Sequence, residues 1–565
     1  MNNDNFKIPI KYVDNIPISD SLMNDLELLD TVNNDQQPIY HNIFNPTNNL
    51  AKTSLKQWDS YTTNTDFLND SQNLYTKIND LKEDNYHVNL MTTDWDEIRK
   101  LQNFKERFQY VEWDRIQFLN LFAPFLYLLS FLNITAPLMQ LLAPVLVFIM
   151  PFFIIKAMGL PISVAKYTEL LKKLLANNAI YSMFTKFTNA NPKEKIGMLV
   201  TLGLYFYNLW QNLLSCYRFY DNTFYIIDKL KSVKDYLKYT IDKIDYIKGK
   251  IINLHTYQDF YDDIDRHQEK LKEHYESLKY LPEKSRSFQT IKTYGYIMKD
   301  FYYIHTSDEF DTLVKYSFGF HGYINNIKGI NENIQNNYVN KTIYTNKNKV
   351  NFKEIYHPSI SNECVKNNIK LNKSIILTGP NAAGKTTLLK STIINLLFSQ
   401  QLGFGYYKSA TINPFKYIHC YINIPDSCSR DSLFQSEVRR CKEILDVIQE
   451  NPKERHFCVF DELYSGTNPY EAISSAYSYL NDIVKNNKVK FILTTHYLRM
   501  CKLFRKHKKI KNYKMDTVIN EDDQPIYSYK MIKGYSTING GISVLKELNY
   551  PKHIIDSAKE ILNKL

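Results

Sequence analysis

The stretch that most constrains this chain is residues 375–387, Ile-Ile-Leu-Thr-Gly-Pro-Asn-Ala-Ala-Gly-Lys-Thr-Thr. A β-branched apolar run enters a loop bounded by Gly379 and Gly384, and a helical apolar pattern follows at Leu388, Leu389, Thr392, Ile393 and Leu396. Gly379 to Thr386 fits G-x-x-x-x-G-K-[ST] in the strand–loop–helix context that the motif needs. A glycine-bounded loop at a helix N-terminus points unpaired N–H groups and partial positive charge at phosphate oxygens. The pattern therefore predicts phosphate contacts from Gly379, Pro380, Asn381, Ala382, Ala383, Gly384, Lys385, Thr386 and Thr387. Lys385 is placed to reach β/γ-phosphates, and the Thr386 hydroxyl to complete a Mg²⁺ shell.

The second element is His456-Phe-Cys-Val-Phe-Asp461-Glu462, an apolar strand ending in two carboxylates 76 residues after Lys385. Asp461 is expected to hold Mg²⁺ through its water shell, and Glu462 to polarise the water that attacks ATP in line. A third strand, Phe491 to Thr495, delivers His496, which at such a strand end can bond the γ-phosphate or the water. Strands alternating with helices predict a mostly parallel sheet with its ligand at the carboxyl ends of the strands.

The other chemistry is thinner. The seven cysteines show no C-x-x-C and no ligand spacing with histidine, so reduced, intracellular thiols are expected. Residues 1–20 carry no secretory signal pattern. Residues 1–100 hold 8 Lys/Arg against 16 Asp/Glu, a balance of −8; with +11 overall, the remaining 465 residues carry +19. That asymmetry suits an anionic partner, nucleic acid or membrane surface, although Asn, Lys, Ile and Tyr richness also reflects AT-rich coding.

Residues 1–75 are polar and Asn/Asp-rich without a sustained period, and read as loose or partly disordered, with room for short packed pieces. Ile116–Ile155 contains no charged residue and divides at Asn133–Pro137 into Ile116–Leu132 and Leu138–Ile155. Basic residues flank both outer ends, so the run reads as a membrane-inserted helical hairpin with the nucleotide site on the cytosolic side. The competing reading is a buried helical pair in a soluble core. A second uncharged stretch, Ile196–Tyr217, reads as a buried or interfacial helix, because one further span would put the two ends of the chain on opposite sides. Leu230, Leu237, Ile244 and Ile251, with Val233, Thr240, Ile247 and Leu254, form a four-heptad seam. It suits a long helix in a helical pair or arm, or equally an amphipathic helix in a bundle. Thr342–Ile355 alternates as strands do.

Several of these runs resemble the MutS mismatch-repair ATPases. Thr378-Gly-Pro-Asn-Ala-Ala-Gly-Lys-Thr-Thr387 is similar to their phosphate loop, and Asp461-Glu-Leu-Tyr-Ser-Gly-Thr-Asn-Pro-Tyr-Glu471 to their Asp-Glu and following Gly-Thr segment. Thr494-Thr-His-Tyr497, His357-Pro358 and the run Gly541 to Ile555 complete five matches in order over residues 350–565. The resemblance implies an α/β P-loop NTPase domain of ABC type, with a mostly parallel sheet, preceded by a largely α-helical region. It also implies a homodimer in which each subunit completes the other's ATP site.

The family's trans-acting segment lines up with Ser429-Arg-Asp-Ser-Leu-Phe434 and Glu437, so Ser429 and Ser432 are the expected donors, with Arg430 and Asp431 departing from the pattern. No Leu-Ser-Gly-Gly-Gln signature precedes Asp461, which argues against a transporter subunit. The family's mismatch wedge, Gly-x-Phe-Tyr-Glu, is absent; Phe104-Lys105-Glu106 lacks the glycine and reads as coincidence.

The expected organisation is a polar, acidic, partly disordered region over 1–110, an apolar helical hairpin over 111–160 and core- and lever-like helices over 161–340. An ATPase domain over 341–535 and a helical dimerisation segment over 536–565 follow. The expected activity is Mg²⁺-dependent ATP hydrolysis coupled to clamping on mismatched or branched DNA. The alternative is a membrane-anchored mechanochemical ATPase not acting on DNA.

Overall fold

The computed structural model describes residues 5–33, 35–81, 85–159, 161, 163–176, 187, 190–281, 288–360, 364–422, 433–520, 525–538, 542, 545, 548 and 550–564. The chain forms two compact units: Met1–Glu83, Lys243–His267 and Val314–Leu565 make the first, and Asp84–Asp242 with Gln268–Leu313 the second.

Among the described residues the strands all lie in the first unit. In chain order they are β1 (Ile16–Pro17), β2 (Ser60–Tyr61), β3 (Asn340–Tyr344), β4 (Val350–Ile355), β5 (Asn367–Lys370), β6 (Ser374–Thr378) and β7 (Phe404–Gly405). Then come β8 (Ser409–Ile412), β9 (Tyr417–Tyr421), β10 (His456–Asp461), β11 (Val489–Thr495), β12 (Ile510–Ile519) and β13 (Pro525–Lys533). The six-stranded sheet has the order β13-β12-β6-β11-β10-β9, with every pairing parallel except β12–β13. A five-stranded sheet, β5-β4-β8-β3-β7, is mixed. Strands β6 and β11 are buried at every residue, as strands covered on both faces must be. Helices Leu433–Glu450 and Pro469–Ile483 bury their apolar residues against β10 and β11 in one core. The helix Lys385–Gln401 is buried on all sides from Ser391 to Gln401.

Such a helix needs covering beyond the sheets, and the N-terminal residues supply part of it. This corrects the expectation of a partly disordered 1–110. Residues 5–33 and 35–81 fold into short helices whose anchors Phe6, Tyr40, Phe44 and Trp58 are among the most deeply buried side chains. Gln401 donates to the Trp58 carbonyl at 2.7 Å and the Ser60 carbonyl at 3.0 Å, and Gln400 donates to the Phe415 carbonyl at 2.7 Å, so buried amides inside the helix are satisfied. The asparagines that made the segment look loose act as caps: Asn48 accepts from the Ala51 N–H, and Asn64 from those of Asp66 and Phe67. Its six-residue helices are too short to display a period, and only the 12-residue Thr65–Thr76, with Phe67, Leu68, Ser71, Leu74 and Tyr75 buried, is long enough to carry one. Gly329 on the helix Asp308–Gln335 lets this segment close: a Cβ there would lie 1.8 Å from the Phe44 carbonyl oxygen.

The second unit is helical. Lys229 pairs with Asp94 at 2.7 Å and with Glu97, and Arg99 donates to the His305 carbonyl at 2.6 Å. Phe104 is buried and stacks on His305 with centroids 3.6 Å apart, so this phenylalanine is core packing, while Glu106 is exposed. The heptad seam lies within the 60-residue helix Pro192–Ile251 up to Ile251, and its members are buried, Thr240 included; the Thr240 hydroxyl bonds back to the Tyr236 carbonyl at 2.9 Å. Gln268, on the returning helix Gln258–Ser277, donates to the Ile241 carbonyl at 3.2 Å, so the seam belongs to a packed helical pair.

The apolar run is also corrected. Asp114–Leu121 is a 3₁₀ segment, and Ala123–Ala157 is one continuous 35-residue helix, with no turn at Asn133–Pro137. Proline costs a helix about 3 kcal/mol by removing one N–H and crowding the preceding turn, but ending a helix also requires groups that satisfy its freed carbonyls. The sequence there is Asn-Ile-Thr-Ala-Pro, without glycine, and the Thr135 hydroxyl bonds the Phe131 carbonyl at 2.6 Å, as threonine does in mid-helix.

Candidate functional site

The register of the parallel sheet sets the carboxyl ends of three strands side by side. Asp461 pairs with Thr494, and Thr494 with Leu377, so β10, β11 and β6 end at one level. The three predicted elements therefore converge, although 111 residues separate Lys385 from His496.

Beyond Thr378 the loop turns through Ala382 at φ +61° and Gly384 at φ +85°, and Gly384 is the residue from which Lys385–Gln401 starts. Only glycine takes this left-handed conformation without strain, so the second motif glycine is a backbone requirement. Lys385 is 6% exposed; its ammonium donates to the Pro380 carbonyl at 3.1 Å and lies 3.1 Å from His496 Nε2. Burial draws its pKa down, opposed by the charges of Glu462 and Asp461. The Thr386 hydroxyl donates to Asp461 Oδ2 at 2.9 Å, and Asp461 Oδ1 accepts from the Thr494 hydroxyl.

Glu462 follows at φ +53°, a conformation costly for a non-glycine residue, and its N–H is held by the Thr494 carbonyl at 3.1 Å. That backbone turn swings its carboxylate away from Asp461 toward His496, whose Nε2 is 2.8 Å from Glu462 Oε1. The hydrogen bond from His496 holds the Glu462 carboxyl below its usual range, with burial opposing. His496 Nε2 faces both Lys385 and Glu462 but has one site: it either donates to Glu462 or accepts from Lys385.

The segment after Glu462 is a built structure. Glu437 is 2% exposed, and its carboxylate accepts from the Ser465 N–H at 3.0 Å, the Ser465 hydroxyl at 2.9 Å and the Gly466 N–H at 3.1 Å. Asn468 then caps Pro469–Ile483 by accepting from Tyr470 and Glu471 N–H groups, with Pro469 in the first turn. Glu437, which the resemblance grouped with the trans-acting segment, thus acts within its own subunit. Ser429 and Ser432 lie outside the described residues, as does Gly541.

A cleft of about 590 Å³ opens along the loop, lined by Asn381, Lys385, Thr386, Glu462 and, beyond them, His357, Val365, Met515 and Tyr529. A second cavity of about 620 Å³ shares His357, Ile360, Thr386 and Thr387 with it and is walled by Leu26, Glu27, Gln36, Gln37 and Asn42. Glu27 pairs with Lys390, one helical turn past Thr386, at 3.3 Å. Burial lowers the His357 pKa to about 4, so its imidazole is neutral at physiological pH. Tyr529, Met515 and the 26–42 wall carried no motif, and nothing local in the sequence marks them. Among the described residues no group of three or more His, Cys, Asp or Glu side chains is arranged to hold a metal.

Residues 375–565 match the family model MutS domain V. The C-terminal third of this chain is thus similar to MutS domain V. Curated relatives named DNA mismatch repair protein MutS align over the same region. The protein of Persephonella marina (strain DSM 14350 / EX-H1) is 32% identical over 222 residues, 38% of this chain and 25% of that protein. That of Bacteroides fragilis (strain YCH46) is 32% identical over 244 residues, 41% and 28% respectively, and that of Clostridioides difficile (strain 630) 32% over 241 residues, 41% and 25%. The chain thus spans about a quarter of the length of these relatives, and the likeness covers about two fifths of this chain.

Proposed function

We propose that the MutS domain of this chain is a P-loop ATPase that binds and hydrolyses ATP and couples the cycle to DNA. The observation that carries the reading is the meeting of Thr386, Asp461, Glu462 and His496 at the N-terminus of a buried helix. The loop N–H groups and helix N-terminus cradle the phosphates. Lys385 exchanges the Pro380 carbonyl for phosphate oxygens, a favourable move for a buried ammonium that is otherwise held by a neutral carbonyl and an imidazole. The Thr386 hydroxyl and Asp461 carboxylate are hard oxygen donors in contact, which fits Mg²⁺ held by one or two protein groups and the substrate's phosphates. When bound, Mg²⁺ supplies charge neutralisation at the β- and γ-phosphates.

Glu462 is the general base. Its carboxylate is ionised at neutral pH, 44% exposed and therefore open to water, and aimed by its left-handed backbone. When Lys385 engages phosphate, the competition for His496 Nε2 ends and the imidazole is left to orient Glu462.

Glu462→Gln is expected to lower kcat by about 10²–10⁴-fold while ATP still binds. Hydrolysis by the variant at the wild-type rate removes Glu462 from the mechanism. DNA enters from the names of the relatives and from the +19 carried by residues 101–565. A Mg²⁺- and ATP-dependent homodimer completed by Ser429 and Ser432, acting in mismatch repair or recombination, extends the same reading. Affinity for duplex or branched DNA should fall steeply with added salt; no binding at low salt removes DNA as the partner.

A further inference from the structure

The second unit leaves apolar surface uncovered on a scale that a protein in water does not tolerate. On Ala123–Ala157 the window Ala123–Gln140 is only 18% buried, so it is neither the core helix of a soluble bundle nor, at this position, a leader. Large apolar side chains remain exposed from Leu128 to Ile154, Phe153 at 56% among them. The helix Pro192–Ile251 repeats this over Ile196–Tyr217, with Leu204 at 58% and Phe206 and Trp210 at 59%. At 3.6 residues per turn, the exposed apolar positions wrap about 200° of each helix.

A groove in a protein partner or a second copy covers one side of a helix. A face this wide, continued over both runs without a charge between 116 and 155 or between 196 and 217, calls for an apolar solvent over more than half of each helix. The lengths agree. At 1.5 Å per residue, Leu128–Ile154 spans about 40 Å and Ile196–Tyr217 about 33 Å, against about 30 Å for a bilayer core. Inside the two runs Asn212 donates to Gln140 Oε1 at 2.7 Å, so two amides that lipid cannot satisfy bond each other across the helices. The helix Val164–Ala176, between the two, carries Lys166, Lys172 and Lys173 against Glu169, beside Leu170, Leu171 and Leu175. That is the composition of a segment that lies on anionic headgroups.

We propose that Leu128–Ile154 and Ile196–Tyr217 form the two arms of an apolar hairpin that seats this protein in a phospholipid bilayer, with Val164–Ala176 on its anionic surface. The arms are not the pair expected from the sequence. There, Ile116–Ile155 counted as two spans, and Ile196–Tyr217 read as a buried or interfacial helix because a third crossing would put the chain's ends on opposite sides; one span from each helix returns the chain to the side it left. This inference rests on the second unit alone and stands whether or not the MutS domain hydrolyses ATP.

The test uses the full chain and lipid readouts. The protein is expected to float with phosphatidylcholine–phosphatidylserine vesicles and to stay in the membrane pellet through alkaline carbonate. Trp58 and Trp95 are buried, so quenching by bromine-labelled acyl chains reports Trp210 and Trp113, and Trp210→Phe is expected to remove most of it. Reversing Lys166, Lys172 and Lys173 to Glu should weaken binding to the anionic vesicles about tenfold or more. Release by carbonate, or quenching unchanged in Trp210→Phe, overturns the hairpin. A dimer that is soluble without lipid or detergent and shields Trp210 from aqueous iodide also overturns it, in favour of a second copy. Binding indifferent to the lysine reversals overturns the headgroup contact.

Discussion

Two runs of similar apolar character end in opposite places. Strands β6, β10 and β11 bury Ile376, Phe460 and Leu493 almost completely, whereas the helix Ala123–Ala157 keeps Phe131, Leu138 and Phe153 exposed. Hydropathy ranks the two alike. The difference is that five-to-seven-residue strands need partners for every N–H and C=O, so they recruit a sheet and helices around themselves. A long helix satisfies its own backbone and leaves its side chains free to meet whatever surrounds them. Burial follows from the backbone's demand for partners as much as from the side chains' aversion to water.

The sharpest way to break that contrast is to place the same charge in both. Phe460→Asp puts a carboxylate into the core beside β11 and should cost on the order of 4 kcal/mol or more, read as loss of cooperative unfolding of the first unit. Phe206→Asp should leave that transition unmoved. Equal destabilisation by both would show that the exposed helices are core after all.

Next in size is Glu437. Its carboxylate is the partner of three donors in the turn after Glu462, so Glu437→Ala should cost about 2–3 kcal/mol in thermal or denaturant unfolding. ATP hydrolysis should fall with it, because Glu462 loses the turn that follows it. A fall in dimerisation with full stability would instead return Glu437 to the trans-acting group.

The pH response of the first unit carries a contribution from His357. Its folded pKa is about 4 against 6.5 in the unfolded chain, so between those values the unfolded state binds more protons and stability falls as pH is lowered from 6.5. The full effect is about 3 kcal/mol at most, and His357→Gln should remove that share of the slope, the buried His321 and His419 of the same unit, each lowered to about 3, supplying the rest. The sign is opposite in cause at Glu462. His496 depresses that carboxyl, so the contact is fully stabilising above the usual carboxylate pKa and is lost as pH falls through the lowered one. His496→Ala should accordingly move the acid limb of hydrolysis to higher pH.

The smallest expected effect lies at the wall of the cleft. Glu27 and Lys390 are each 19% exposed, and Lys390→Ala should cost about 1 kcal/mol. A several-fold loss of ATP affinity beyond that would give residues 26–42 a share in nucleotide recognition.

Much of the site was legible because its chemistry is local in sequence. A glycine loop, a strand ending in Asp-Glu and a strand ending in Thr-Thr-His each announce themselves within a dozen residues, and the alternation of strand and helix implied that they meet. Residues without a local signal stayed hidden: Tyr529 and Met515 reach the cleft from β13 and β12, and Glu27 from more than 350 residues upstream.

Sequence by itself pointed to the loop and the two strand ends that meet beside Lys385 and to residues 116–155 as an uncharged apolar run. Tertiary structure decided the rest. It placed one His496 nitrogen between Lys385 and Glu462, turned Glu437 inward, and folded the polar N-terminal segment around a helix that had no other cover. It also made one long helix of the run divided by Pro137 and set Gln140 against Asn212. These outcomes depend on which groups far apart in the chain satisfy one another's hydrogen bonds and exclude water together, and no window of sequence contains that information.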